Sequence, residues 1–481
     1  MHSIGVLKLL HSALTANGTR QELLADAYFD GRLDALGVYV EDSAPATAAA
    51  ATAAAATAAA ATAAAATAAA DDYIPSSSPS SVPREDGLSF PYASFVSRYM
   101  SPNLPVLLSG LTSSWPAAET WVTPDAEPDL AHLGRAFRDT RAPVHFTALP
   151  PGAASVFGAP PARPLAREST VGEFADWWEE HLSARGEAPP GAPRELRYLK
   201  DWSFGPSLPA AEVYSCPRFF REDWLNDLQA SYRFVYLGPA GTCTRLHADV
   251  LRSFSWSSNL AGRKRWYLIP PTHTHLLYDR FGQALAPHLH ADLEGGEGQL
   301  GTFPGLALAR EVAVEVIQEA GETLFVPSGW HHTVENLKDT LSVNHNWLNG
   351  YNMRGSWGKL SEEVEALRAL SLREEKVEQE GEPAADAWVK DESEEAARRQ
   401  QEQTVATTEG DFVLLYDVIA HQLGLERGLR PDELDTIEDV LGSMVESVGR
   451  GDLFGVKEKG EGGWWRGEEL MEVVRRRRML V

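Results

Sequence analysis

Residues 231–250 read SYRFVYLGPAGTCTRLHADV: an aromatic and β-branched run, a Pro/Gly turn, and a second short run that ends on a histidine and an aspartate. The pattern is strand, turn, strand. It recurs downstream in SFSWSSNLAG (253–262), KRWYLIPP (264–271), VAVEVIQEAG (312–321), TLFVPSG (323–329), WHHTVENL (330–337) and LSVNHNWL (341–348). Short strands punctuated by Gly, Pro and Asn predict a mainly β core, an antiparallel sandwich or barrel. Within that core His247 and Asp249 raise a chemical question, since a carboxylate close to a packed interior requires a compensating charge.

Residues two apart on a strand point to one face with Cα atoms about 6.6 Å from each other, so His247 and Asp249 can aim an imidazole and a carboxylate at one point. A metal ion needs a third ligand, and WHHTVENL offers two histidines. Trp330, His332, Val334 and Asn336 share one face, while His331, Thr333 and Glu335 share the more polar one. The apolar face looks inward, which selects His332. Two imidazoles and one carboxylate form the facial triad of non-heme Fe(II) oxygenases, which leaves positions open for a cosubstrate and oxygen.

Lys264 heads a strand that is otherwise apolar, so it either meets an anionic partner or lies on the surface in a basic GRKR turn. Thr244, three residues before His247, can donate a hydroxyl to the same anion. Asn346, in VNHNW, is a candidate buried amide.

TRLHADV, AGRKRWYLIPP, GETLFVPSGWHHTVENL and LSVNHNWLNG together resemble the Jumonji-C 2-oxoglutarate- and Fe(II)-dependent oxygenases, and the upstream PNLPVLLSGLTSSWPA is similar to that family's opening segment. The resemblance covers residues 88–357 and is strongest to the members that hydroxylate a lysine of the translation termination factor. It implies a double-stranded β-helix (jelly-roll, cupin-like) with Fe(II), 2-oxoglutarate and O2 as cofactor and cosubstrates. By the family's motifs, His247, Asp249 and His332 are the metal ligands, and Lys264 and Thr244 hold the 2-oxoglutarate carboxylate. Asn346 matches the asparagine of the last core strand, and Tyr198 in RYLKDW resembles a tyrosine that hydrogen-bonds 2-oxoglutarate. The implied activity is C-hydroxylation of a protein lysine, with lysine demethylation or a non-catalytic binding module as alternatives. Two cysteines, Cys216 and Cys243, leave no room for the zinc modules that accompany many chromatin demethylases.

The rest of the chain divides by composition. Residues 1–40 are weakly specified. Residues 41–86 read as a linker: the ATAAA repeat of 46–70 wanders around a helix without marking a face, and SSSPSSVP cannot bury a core. FADWWEEHL (174–182) predicts a helix and RYLKDWSF (197–204) an extended segment. Residues 358–481 turn helical, with helix ends marked by Gly424 and Gly449, and offer a surface for homodimerisation. A net charge of −25 argues against direct nucleic-acid binding. The cysteine count, the lack of a secretory pattern and the lack of a long apolar segment predict a soluble protein in the cytoplasm or nucleus.

Overall fold

The computed structural model describes residues 81–146, 166–184, 196–203, 213–228, 232–280, 284–289, 302–380, 411–425, 429–449 and 467–479, with a few isolated positions besides. The Ala/Thr tract and residues 1–40 lie outside the described residues.

Among the described residues, thirteen strands form two sheets. They are β1 (Arg84–Asp86), β2 (Val106–Ser109), β3 (Arg141–Phe146), β4 (Ala166–Thr170), β5 (Arg197–Ser203), β6 (Arg233–Gly238) and β7 (Cys243–His247). After these come β8 (Phe254–Ala261), β9 (Arg263–Ile269), β10 (Val314–Glu319), β11 (Glu322–Val326), β12 (His331–Asn336) and β13 (Thr340–Trp347). The major sheet runs β1-β2-β11-β8-β13-β6-β5-β3-β4, and the minor sheet β10-β9-β12-β7. Every pairing is antiparallel except β1 with β2. The two sheets form the antiparallel β core expected from the strand pattern, in the double-stranded β-helix arrangement that the family resemblance implies.

The outer side of the major sheet is covered by an aromatic core. Phe95, Trp115, Phe220, Trp256, Phe325 and Trp347 are all essentially inaccessible, with Phe220 stacked on Trp256 at 5.4 Å. The residues alternating with Trp256 on β8 are Ser255, Ser257 and Asn259. They are buried too, although polar. A strand whose outer face packs aromatics and whose inner face is lined by buried hydroxyls and amides marks the interior of the barrel as a polar chamber.

The ordered domain begins before residue 88. Val82 is buried, and Arg84–Asp86, a strand with no apolar residue of its own, pairs with β2. Arg84 Nε lies 3.1 Å from Glu322, and Glu85 accepts the Tyr99 hydroxyl at 2.6 Å and the Arg98 guanidinium at 2.8 Å. The end of the expected linker is thus held by the sheet edge and by charges distant in sequence, neither of which composition reveals. A chain starting at residue 88 is expected to lose about 3 kcal/mol of stability, from an unburied valine and lost hydrogen bonds. A chain starting at residue 81 keeps those contacts. Denaturant titration of the two truncations distinguishes them.

After β13 the chain becomes helical, as its periodicity predicts. Helix α1 spans Met353–Glu380, α2 residues 411–424 and α3 Pro431–Gly449. Trp357, Leu360 and Val364 of α1 share a second core with Phe412, Ile419, Ile437 and Leu441. That core also includes Leu251, two residues after Asp249. Leu251 and Arg252 take φ of 52° and 46°, a left-handed conformation that costs about 1–3 kcal/mol per bulky residue unless packing imposes it. The helices supply that packing, so this region buttresses the turn carrying Asp249. Trp357→Ala is therefore expected to destabilise the protein by about 3–5 kcal/mol. Its residual folded fraction should bind metal more weakly than the parent, measured by thermal melting and metal titration. No helix among the described residues is long and apolar enough to cross a membrane.

Candidate active site

Strand β12 pairs with β7 so that His332 stands directly across from His247, their rings 4.3 Å apart. Asp249 follows β7 at the start of the strained turn. The ligand atoms of His247, Asp249 and His332 all lie within 4.8 Å of one another. His331 points the other way: its Nδ1 is 3.3 Å from Thr274 Oγ1, and burial with the charge of Arg252 holds its imidazole down to about 3.

Each member of the trio is prepared by a neighbour. The Nδ1 of His247 is 2.8 Å from the Arg245 carbonyl, and that of His332 is 3.1 Å from the Trp330 carbonyl. A carbonyl only accepts, so both protons sit on Nδ1 and both Nε2 lone pairs remain available, the tautomer a metal requires. Ser255 donates to Asp249 Oδ2 at 2.6 Å and leaves Oδ1 uncommitted. Burial and the adjacent His332 hold the His247 imidazole down to about 4, so it is neutral at physiological pH. The donor set, two neutral nitrogens and one carboxylate oxygen from one side, fits a divalent ion with open positions.

Lys264 stands two rungs along the same face. It is 1% exposed, donates to Ser342 Oγ at 2.8 Å, and lies 5.8 Å from the Tyr236 ring. No carboxylate pairs with it among the described residues, and burial alone brings its ammonium down to about 7. A buried cation without an anion is costly, and the chamber beside it has the chemistry of a carboxylate receptor. Thr244 and Tyr198 close that end: the Tyr198 hydroxyl lies within the electrostatic influence of the Asn336 and Thr244 side chains, and burial raises its pKa. Tyr198 lies against a residue that has to be glycine, since a Cβ on Gly238 would stand 2.5 Å from Tyr198 Cδ2.

Thr244 reaches this face through an irregularity. It stands three positions before His247, so an ideal strand would turn them to opposite sides. However, Val334 pairs with Thr244 and His332 with His247, three residues against two, and the bulge restores both to the interior while Leu246 packs outward. Asn346 sits at the metal end, not beside Lys264. It pairs across β8 with Ser255, and its amide donates to Ser253 Oγ at 3.1 Å. The roles of Ser255, Ser342 and Tyr236 escaped the sequence reading. The signal available for the first was the alternation Ser255, Ser257, Asn259 in a strand with no exposed face.

The fold and this site define a cupin-type barrel whose interior holds a His/Asp/His cluster able to take a metal ion and, farther along, a buried lysine. The Cupin-like domain family matches residues 92–353, and the chain belongs to that family. The human 2-oxoglutarate and iron-dependent oxygenase JMJD4 is 39% identical over 294 residues, 58% of this chain and 64% of that protein. Its Danio rerio counterpart is 38% identical over 284 residues, 58% of this chain and 63% of the relative. The arginine-specific demethylase JMJ20 of Arabidopsis thaliana is 36% identical over 305 residues, 58% of this chain and 60% of the relative. The chain thus spans somewhat less than two thirds of the length of these relatives. The resemblance to the Jumonji-C oxygenases is borne out by them.

Proposed function

We propose that the chain is an Fe(II)- and 2-oxoglutarate-dependent protein hydroxylase acting on a lysine side chain, with the translation termination factor as substrate. The observation that carries this reading is the pairing, in one chamber, of a one-sided His/Asp/His trio with a buried lysine that has no carboxylate partner among the described residues. A structural metal site needs no open side and no second anion receptor.

In this reading His247, Asp249 and His332 hold the iron and Lys264, Thr244 and Tyr198 hold the distal carboxylate of 2-oxoglutarate, with Asn346 bordering the metal end. Iron, 2-oxoglutarate and oxygen together supply oxidation of a C–H bond coupled to loss of carbon dioxide from the keto acid. The protein's part is positional. The Arg245 and Trp330 carbonyls fix the imidazole tautomers, Ser255 orients the Asp249 carboxylate, and the Lys264 ammonium with the Thr244 and Tyr198 hydroxyls sets the direction of the dicarboxylate. The aromatic wall outside the major sheet excludes water from behind the site. The oxygenase domain is assigned to residues 88–357 with the few preceding residues that complete its sheet, and the helices after it support the Asp249 turn. Self-association through those helices would double the mass in light scattering.

Incubating the protein with Fe(II), 2-oxoglutarate, oxygen and unmethylated termination factor is expected to add one oxygen atom to a lysine, read by mass spectrometry. The arginine demethylase names of the Arabidopsis relative and of the Caenorhabditis briggsae bifunctional arginine demethylase and lysyl-hydroxylase psr-1 support a second reading, demethylation of a methylated basic side chain, without singling out lysine. Unmodified termination factor alongside formaldehyde release from methylated peptides would replace the first reading with the second. Absence of metal binding would favour a non-catalytic module.

A further inference from the structure

The register between β5 and β6 slips at one point. Leu199 pairs with Leu237 and Trp202 with Val235, so Lys200 and Asp201 together oppose the single residue Tyr236. Such a bulge re-aims the side chains of the longer strand. Asp201 adopts φ of 62°, a conformation aspartate accepts more readily than most residues. Tyr236 faces the chamber: it pairs with Ser342, the acceptor for Lys264, and its ring lies 5.8 Å from Lys264 Nζ. The bulge thus brings a carboxylate to the rim of the chamber that holds the metal-ligand trio.

One oxygen of that carboxylate is committed and the other is not. The Tyr236 hydroxyl donates to Asp201 Oδ1 at 2.7 Å. Among the described residues Oδ2 has only long contacts, 3.7 Å to His145 Nε2 and 3.8 Å to Lys200 Nζ, both beyond hydrogen-bond length. His145 is no ionic partner, because burial and the charge of Lys200 hold it neutral, at about 4. The Asp201 side chain is 40% exposed, so the carboxylate borders solvent. The charges of both Asp201 and Asp249 are felt at Tyr236, and that of Lys200 at His247, so the bulge lies within electrostatic range of the trio.

We propose that Asp201 is the specificity-determining residue of this site, receiving on Oδ2 the ammonium or guanidinium of a basic protein side chain and directing it toward the metal. The inference rests on the oxygenase reading, since it concerns which side chain that reaction accepts. A cation entering here exchanges the long Lys200 contact for a direct charge-assisted hydrogen bond, with Tyr236 holding the carboxylate in place.

Asp201→Asn tests this cleanly, because asparagine has the same shape and the same tolerance of the left-handed conformation but no charge. The full-length chain is loaded with Mn(II) and 2-oxoglutarate under nitrogen, loading is followed by calorimetry, and fluorescence polarisation reads binding of four peptide pools with random flanks. The pools carry lysine, arginine, norleucine or glutamate at the fixed centre. The parent is expected to bind the lysine and arginine pools roughly tenfold more tightly than norleucine. That preference should fall to about onefold in Asp201→Asn and survive in part in Asp201→Glu. Failure of the parent to load Mn(II) and 2-oxoglutarate would sink the oxygenase reading itself. Normal loading with no preference for the cationic pools, a preference for glutamate, or an undiminished preference in Asp201→Asn overturns the role of Asp201 alone.

Discussion

Asp249→Ala and His332→Ala are each expected to weaken iron binding by more than about 100-fold and to end 2-oxoglutarate turnover, while His331→Ala keeps both. The two adjacent histidines differ only in the face they present. His332 stands opposite His247 with its Nε2 free, whereas His331 is packed against Thr274 outside the chamber. The Asp249 and His332 variants should still fold, because both side chains line a polar chamber and neither belongs to the aromatic core. Ser255→Ala removes only the hydrogen bond that orients Asp249, and a loss of about 10–100-fold in metal affinity is expected. Calorimetric titration with Fe(II) under nitrogen measures all four. Iron retained by Asp249→Ala, or lost only in His331→Ala, would refute the assignment.

Lys264→Ala is expected to raise the 2-oxoglutarate requirement by a factor corresponding to about 2–5 kcal/mol, with iron binding little changed. The same residue predicts a pH dependence. Its folded-state pKa is brought down from 10.5 to about 7 by burial, so between those values the unfolded chain binds more protons and the stability of the ligand-free protein rises with pH. An anion bound beside the ammonium favours its charged form. Above about pH 7, 2-oxoglutarate binding must therefore take up a proton, and its apparent affinity falls as pH increases. Calorimetry in two buffers of different ionisation enthalpy reads that uptake directly. Lys264→Met should raise the melting temperature of the ligand-free protein, because it replaces an unpaired buried cation with an apolar side chain of similar length. Unchanged 2-oxoglutarate dependence in Lys264→Ala would remove the residue from the site.

Much of this site was legible in the sequence because strands have a period of two. Alternation separates His332 from His331 with no knowledge of the partner strand, and it anticipated His247 and Asp249 on one side, although β7 ends at His247 and Asp249 stands just beyond it, at the turn. The strand-and-turn pattern defined the β core, and the four motifs taken together named the family. What the period could not supply lies where the period breaks. The bulge in β7 brings Thr244 to the side of His247, and the bulge in β5 turns Lys200 and Asp201 together toward Tyr236. A one-residue slip reverses every side chain beyond it, and nothing in TRLH or YLKDW announces the slip, since it is imposed by pairing with strands distant in the chain. The start of the domain, the Ser255 and Ser342 hydrogen bonds and the bracing of the Asp249 turn by α1 were decided in the same way. Local sequence determined which residues could perform this chemistry and on which face most of them stood. Only tertiary pairing decided where that alternation was broken, because register is a property of two strands and the sequence of one does not contain it.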